Sequence, residues 1–255
     1  LRNKNLTLSI ILRYKNLYKI KNDYLSNLIL KSINKFFSRQ IIFFTYSKKI
    51  QTEIKKFLGS KIYLLPIPHT NLKTNFIKRK SKKIIKIWMP GPIRIDKGIN
   101  HIKKFIMSCS ELPILLFISK DAEVYLGKNN KFIKFVKPEL SSSEYYNFFG
   151  KVNYIILPYS ESAYSHSTSG IFVESVSMGI PALVSRNSWM SDEYSSYHIN
   201  EFTYDWSKID FIDLYNELIN KKQNDNFDNM VIKYQKYHNQ NSFFYDFTYA
   251  FDNSI

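Results

Sequence analysis

The sequence predicts an α/β fold: a Rossmann-like, doubly wound parallel sheet preceded by a partial second Rossmann-like domain. Short apolar runs, typical of buried strands, alternate along the chain with segments whose apolar residues recur at helical spacing. Polar loops follow several of these strands. In a parallel sheet such loops lie at the carboxyl ends of the strands, where ligands bind, so the same pattern indicates where to look for a site.

Residues 1–69 predict the partial domain. Ser47 suits a helix N-cap and Gly59 ends that helix, while Pro66 and Pro68 stop the strand that follows. In chain order we predict a strand over 6–12, a helix over 24–37, a strand over 41–45, a helix over 48–58 and a strand over 61–65.

A polar, basic stretch over 70–83 interrupts this alternation. It contains Lys78-Arg79-Lys80 and Lys82-Lys83 and has few apolar residues. We therefore predict an interdomain linker.

Residues 84–238 predict the larger Rossmann-like domain. We predict strands over 84–88, 114–118, 132–136, 154–157 and 182–185, and helices over 97–108, 141–149, 171–178, 209–220 and 226–238. The loops after Trp88, Ile118 and Leu157 then lie at strand carboxyl ends and can face one crevice. We expect the aromatic segment 239–255 to cross back onto the first domain; a membrane-interface element is the alternative.

Composition limits the cofactors and the compartment. The 255 residues include one cysteine, Cys109, so no intramolecular disulfide framework forms, and a cytoplasmic setting is expected. The five histidines are scattered, so we expect no metal site and no cofactor. No apolar run reaches the roughly 18 residues of a membrane span. Because the chain starts with Leu1, we expect it to begin inside a longer protein.

The formal net charge of +16 has three interpretations. The abundance of Lys, Asn, Ile, Tyr and Phe together is typical of a low-GC coding bias. Alternatively the charge attracts the chain to an anionic membrane, as a peripheral protein at the inner face, or to nucleic acid. Since the lysines are dispersed apart from 78–83, we expect no nucleic-acid partner.

The stretch 158–185 carries the most informative motif. A polar loop over 160–168 leads into Ser169 and Gly170, which open a helix. Unpaired N–H groups and the positive end of the helix dipole make such a place a phosphate site. Glu174, one turn into that helix, is well placed for ribose or sugar hydroxyls. The stretch therefore predicts a nucleotide-sugar site.

A second loop, over 91–98, also follows a strand and opens a helix. Arg94 can form a forked contact with a phosphate, and Lys97 adds a charge at the helix start. Because this loop is expected to face Ser169 and Gly170 across one crevice, we predict that both loops bind the same phosphates.

Together these residues resemble the nucleotide-sugar domain of GT-B glycosyltransferases, most closely the retaining family 4 group. The resemblance extends over roughly Ile84 to Glu193. Its motifs are Gly91, Arg94, Lys97-Gly98, Leu157-Pro158-Tyr159, Ser169-Gly170-Ile171-Phe172, Glu174 and Gly179-Ile180-Pro181. By the same resemblance, residues 1–69 look like the later half of the acceptor domain.

The resemblance implies a role for each matched residue. Arg94 and Lys97 would hold the diphosphate and stabilise the departing nucleotide, making them the catalytic residues. Ser169 and Gly170 would donate backbone N–H groups to the same phosphates, and Glu174 would accept from the ribose. The acceptor would be a hydroxyl on a cell-surface or lipid-linked glycan, as in polysaccharide biosynthesis, and no metal would be needed.

The sequence departs from the family's pattern at one site position. Family members often have a second glutamate eight residues before Glu174, where this chain has His166. Tyr164, Ser165 and His166 are candidate contacts to the transferred sugar, with an ordinary surface loop as the alternative. His166 and the short first domain also favour a rival function, a non-catalytic nucleotide-sugar-binding subunit.

Overall fold

The computed structural model describes residues 7–12, 28, 31–32, 35–36, 41–58, 61–68, 84–108, 112–127, 131–220 and 224–253. The helix predicted over 24–37 is helical at its described positions, Leu28, Lys31, Ser32, Lys35 and Phe36. The rest of that helix, the linker predicted over 70–83 and Cys109 lie outside the described residues.

Strands and helices alternate through the described residues. In chain order they are β1 (Leu8–Ile11), β2 (Ile41–Thr45), α1 (Lys48–Leu58), β3 (Ile62–Leu64), β4 (Ile85–Met89), a 3-10 turn (Ile95–Lys97), α2 (Ile99–Ser108), β5 (Ile114–Ser119), a second 3-10 turn (Lys120–Ala122), α3 (Glu123–Leu126), β6 (Ile133–Val136), α4 (Ser142–Phe149), β7 (Tyr154–Leu157), α5 (Glu161–Tyr164), α6 (Gly170–Ser177), β8 (Ala182–Ser185), α7 (Trp189–Ser195), β9 (Thr203–Tyr204), α8 (Phe211–Ile219), α9 (Asp225–Tyr237) and α10 (Gln240–Asp252).

The chain divides into two compact units. The first comprises Leu1–Asn71, His166–Thr168 and Lys236–Ile255, and the second comprises Leu72–Ser165 and Ser169–Gln235. The exact domain boundaries of the sequence analysis stay predictions.

The first unit is a parallel sheet in the order β1-β2-β3. Every residue of the central strand β2 is buried, and its side chains alternate between two cores. Ile41 and Phe43 pack with Ile50 and Ile54 of α1. Ile42 and Phe44 face the other way and pack with Leu65 and with α10, whose contacts are Phe243, Phe247, Ala250 and Phe251.

The second unit is a parallel sheet in the order β6-β5-β4-β7-β8-β9. Strands β7 and β8, which lie inside this sheet, are buried at every position, as expected when helices cover both faces of a sheet. Renumbered within the unit, the order is 3-2-1-4-5-6, the doubly wound Rossmann order. The predicted α/β fold class is therefore confirmed, and the strand order reverses direction between β4 and β7.

The structure also contains elements that we did not predict. The last strand, β9, is two residues long, too short to show alternation. The loop predicted over 160–168 contains a helical turn, α5, and α7 begins at a capping box formed by Ser188 and Ser191. Serine-rich segments are predicted as loops unless a helix cap is recognised, which explains why α5 and α7 were not predicted.

Candidate functional site

Two loops, after β4 and after β7, meet where the strand order reverses. The Ser160 N–H donates to the Asp96 carbonyl at 2.9 Å, which ties one loop to the other. Gly98 has a φ of 81°, and a Cβ built on it would lie 1.9 Å from the Pro158 carbonyl oxygen. The backbones are thus in direct contact at the crevice that doubly wound sheets use for ligands.

Arg94 lies at the rim of this crevice. Its Nη2 donates to Asp96 Oδ2 and to the Tyr164 hydroxyl, both at 3.1 Å, and the side chain remains half exposed. Two partners on one nitrogen orient the guanidinium and leave its other N–H groups for a ligand. The arrangement suits a forked contact with an anion.

Lys97 lies deeper and is only 7% exposed. Its Nζ is 6.0 Å from the centre of the Tyr159 ring, and it makes no salt bridge within the described part of the chain. Burial lowers the Lys97 pKa below its usual value and the nearby Arg94 charge lowers it further, while Asp96 raises it. Such a cation gains most from an anionic ligand.

Helix α6 points its N-terminus into the same region. The Ser169 hydroxyl accepts from the Phe172 N–H at 3.3 Å and so caps the helix. Among the described residues, no backbone hydrogen bond is made by the N–H groups of Gly170 and Ile171. A Cβ built on Gly170 would meet nothing within 4 Å, so these donors border open space. They are available to a phosphate.

Gly91 brings Lys97 and α6 together. A Cβ built on Gly91 would lie 3.3 Å from Lys97 Nζ and 3.5 Å from Ile171 Cδ1. The absent side chain therefore lets the ammonium approach the first turn of α6. The cation and the unpaired amides therefore lie on neighbouring parts of the site, an arrangement that suits an anion.

Glu174 lies one turn further along α6 and is half-buried. The Tyr145 hydroxyl, from α4, donates to Glu174 Oε2 at 2.6 Å. Burial raises the Glu174 pKa, and the Tyr145 hydrogen bond opposes that rise. With Oε2 engaged, Oε1 has no hydrogen bond to the described residues and can accept from a ligand hydroxyl.

A cavity of about 260 Å³ opens at the carboxyl ends of three adjacent strands. Its walls come from Trp88 and Met89 of β4, Ser119 of β5 and residues 136–140 after β6. Gly91, which adjoins Lys97, and Tyr145, which binds Glu174, complete the lining. Two residues of the cavity wall thus contact or adjoin the polar groups Lys97 and Glu174.

The structure brings Lys97 close to the first turn of α6, and the three predicted sugar contacts each have different surroundings. Tyr164 binds Arg94, and Ser165 ends the short helix α5. His166 belongs to the first unit, where its Nε2 lies 3.1 Å from Glu53 Oε1. The sugar-contact roles of these residues stay predictions.

Sequence reasoning missed Tyr145 and the cavity. The sequence did not indicate the Tyr145–Glu174 pair, because the two residues are 29 positions apart. One signal was available: Ser141 and Glu144 form a capping box, which fixes where α4 begins and puts Tyr145 in its first turn. That turn lies at the ligand edge of the sheet. Residues 136–140 carried no comparable signal.

The described residues contain neither a candidate metal cluster nor a helix that could span a membrane. No group of three or more His, Cys, Asp or Glu side chains there could hold a metal ion. Within the same residues, no helix has both the length and the apolar character needed to cross a bilayer.

Comparisons with known proteins show similarity at the level of structure. No family model and no curated protein sequence matches the chain. The lipopolysaccharide outer core galactosyltransferase WaaB is similar with a TM-score of 0.60 and 14% identity, over 97% of this chain and 75% of that one. The UDP-forming α,α-trehalose-phosphate synthase from Burkholderia xenovorans is similar with a TM-score of 0.66 and 8% identity, over 98% of this chain and 69% of that one.

A sucrose-phosphate synthase from Thermosynechococcus elongatus is also similar, with a TM-score of 0.59 and 13% identity over 91% of this chain. The chain spans 62% of the length of that enzyme. All three of these structures are glycosyltransferases by name or reaction class. The chain therefore has the GT-B glycosyltransferase fold.

Proposed function

We propose that this chain is a glycosyltransferase that uses a nucleoside-diphosphate sugar and transfers the sugar to a hydroxyl acceptor. The observation that carries the proposal is a set of three neighbouring subsites in the second unit. These are the cavity at the ends of β4, β5 and β6, the carboxylate of Glu174, and the cationic region at Lys97 and the α6 N-terminus.

The order of these subsites matches the parts of a nucleotide. We assign the cavity, which has a volume of about 260 Å³ and is walled on one side by residues 136–140, to the base. Glu174 is next and suits the ribose hydroxyls, since ionised carboxylates accept strong hydrogen bonds. Lys97, Arg94 and the amides of Gly170 and Ile171 then suit the diphosphate.

The reaction would depend on stabilising the leaving nucleoside diphosphate. As the bond between the sugar and the phosphate breaks, negative charge develops on the phosphate oxygen. Arg94, Lys97 and the α6 dipole are fixed beside that position and would stabilise this charge without being reorganised. We propose that the reaction needs no metal and, following the family 4 resemblance, retains the anomeric configuration.

For the acceptor we propose a cell-surface or lipid-linked glycan, by analogy with the lipopolysaccharide enzyme WaaB. A cytoplasmic protein at the inner membrane face would meet such an acceptor. The net charge of +16 favours anionic lipid, and α10 exposes Phe244, Tyr245 and Tyr249.

Substitution of Arg94 tests the catalytic proposal. We expect Arg94→Ala to lower transfer or hydrolysis of the preferred nucleotide-sugar about 100-fold, because one charge contact to the transition state is lost. The measurement is nucleotide release from a panel of UDP-, GDP-, ADP- and CMP-sugars. Lys103→Ala, which removes an exposed charge from α2, is the matched control.

The same assay separates the rival function. A wild-type chain that binds one nucleotide-sugar but neither transfers nor hydrolyses it would favour the non-catalytic subunit. Arg94→Ala turnover equal to that of Lys103→Ala would refute the catalytic role of Arg94.

A further inference from the structure

We infer that Tyr145 is a positioning residue for nucleotide binding: its hydroxyl holds the Glu174 carboxylate in the orientation that accepts a hydrogen bond from a ribose hydroxyl. The inference rests on the proposed function and adds to it a residue outside the motif-bearing loops. Tyr145 has no part in the transfer step itself; its hydroxyl acts through the Glu174 carboxylate.

The geometry of the pair supports this role. The bond from Tyr145 Oη to Glu174 Oε2 is 2.6 Å long, in the range of a charge-assisted hydrogen bond. It occupies one carboxylate oxygen and so leaves Oε1 for a hydroxyl of the ligand. A carboxylate with one oxygen fixed has less rotational freedom to lose when a ribose binds.

Packing holds Tyr145 itself in place. Its ring makes edge contacts with Trp88 at 5.3 Å and with Phe149 at 5.4 Å between centroids. Trp88 and Tyr145 both line the cavity, so the ring is part of the proposed base pocket while the hydroxyl reaches the ribose position. One side chain thus connects the two subsites.

The pair also affects the charge of Glu174. Burial raises the Glu174 pKa, and the Tyr145 hydroxyl is the titratable group that opposes the rise among the described residues. Ribose binding needs the carboxylate form, so affinity is lost as pH falls through this pKa. Removing the Tyr145 hydroxyl raises the Glu174 pKa further, so nucleotide affinity is then lost at a higher pH.

The test compares ribonucleotides with their 2′-deoxy forms. UDP, GDP and ADP, each with its deoxy counterpart, are titrated into wild type, Tyr145→Phe, Tyr146→Phe and Glu174→Gln between pH 5 and pH 8. For the nucleotide that binds, we expect wild type to prefer the ribose form by about tenfold, since a hydrogen bond to a charged group is lost in the deoxy form.

Tyr145→Phe should reduce this preference to about threefold or less and move the acid limit of binding to higher pH. Tyr146→Phe, a change to the next residue of α4, should match wild type. Adding Tyr145→Phe to Glu174→Gln should cause no further loss of preference, because the two residues act as one unit.

An unchanged preference and an unchanged acid limit in Tyr145→Phe would overturn the inference and assign Tyr145 to packing alone. If Tyr145→Phe lowers the melting temperature, the double variant Tyr145→Phe with Glu174→Gln separates a packing defect from the positioning role. A packing defect would make the double variant bind nucleotide more weakly than Glu174→Gln alone, and the positioning role would not. Failure of wild type to bind any of the nucleotides would instead refute the proposed function.

Discussion

Gly98 is the residue that allows the two site loops to touch. It needs a positive φ and also has no room for a side chain, because the Pro158 carbonyl oxygen occupies the Cβ position. The contact fixes Pro158, and with it the loop that leads to Ser169. The geometry of the proposed anion-binding region thus depends on a residue that has no proposed ligand contact.

Replacing Gly98 with alanine should therefore be severely destabilising. We expect a loss of about 3 kcal/mol or more in the free energy of unfolding, because backbone strain and a backbone clash add. Gly127 is the matched control: its φ is 76°, but nothing lies within 4 Å of its Cβ position. With a ψ of 162°, Gly127 has a backbone conformation that essentially only glycine adopts, so Gly127→Ala should cost about 2 kcal/mol from backbone strain alone. Equal losses in urea titrations of the two variants would contradict the account.

At the residue scale, chemistry and position along the chain were enough to group the polar residues of the two loops. Arg94, Lys97 and Ser169 lie in loops that follow strands, so the sequence led us to expect that they share a crevice. The Tyr145–Glu174 bond was not predictable in this way, because it depends on how α4 and α6 pack. Likewise, the burial of Lys97 follows from the tertiary contacts of Gly91 and Tyr159.

At the scale of elements, α10 shows how one helix can have two aromatic faces. Phe247 stacks on Phe44 with ring centroids 5.1 Å apart, so that face completes the core of the first unit. Phe244 lies on the other face and is 61% exposed. The sequence left a packing role and a membrane role as alternatives, and the two faces allow both.

Alanine substitutions separate the two faces. Phe247→Ala should lower the free energy of unfolding by about 2 kcal/mol through lost burial, and Phe244→Ala should leave it within about 0.5 kcal/mol. On vesicles containing anionic phosphatidylserine, we expect Phe244→Ala to weaken binding several-fold. Stability losses of equal size, or vesicle binding by Phe244→Ala equal to wild type, would contradict this division.

Element prediction worked where an element is long or strongly apolar. The strand over 41–45 and the helix over 48–58 match the structure, since apolar runs and a serine cap mark them clearly. The sequence did not give the bounds of the helix in the aromatic tail, which Asn239 caps through the Ser242 N–H. A run of phenylalanine and tyrosine hides helical period, because nearly every position is apolar.

At the scale of the whole molecule, strand order decides where the site lies. The order β6-β5-β4-β7-β8-β9 puts β4 and β7 side by side with their helices on opposite faces, which opens a crevice between the loops that follow them. Alternation of strands and helices predicted the class but not this order. The order arises from long-range pairing, such as Ile87 with Tyr154.

The net positive charge of the molecule makes the burial of Lys97 still less favourable. Lys97 is buried without a salt bridge within the described part of the chain, in a protein whose net charge is already +16. Folding must therefore place a cation in an unfavourable position, and its lowered pKa reflects that cost. An anionic ligand would offset it.

The central claim is tested most directly by titrating nucleotide-sugars into wild type and Lys97→Met while following thermal unfolding. We predict that nucleotide-sugars with one particular base raise the unfolding temperature of the wild-type protein. Lys97→Met, which replaces a buried cation with an apolar side chain of similar length, should melt at a higher temperature without ligand. It should also bind that nucleotide-sugar at least about tenfold more weakly, because a charge contact to the diphosphate is lost. Equal stabilisation of both proteins by the ligand, or stabilisation of neither, would contradict the account.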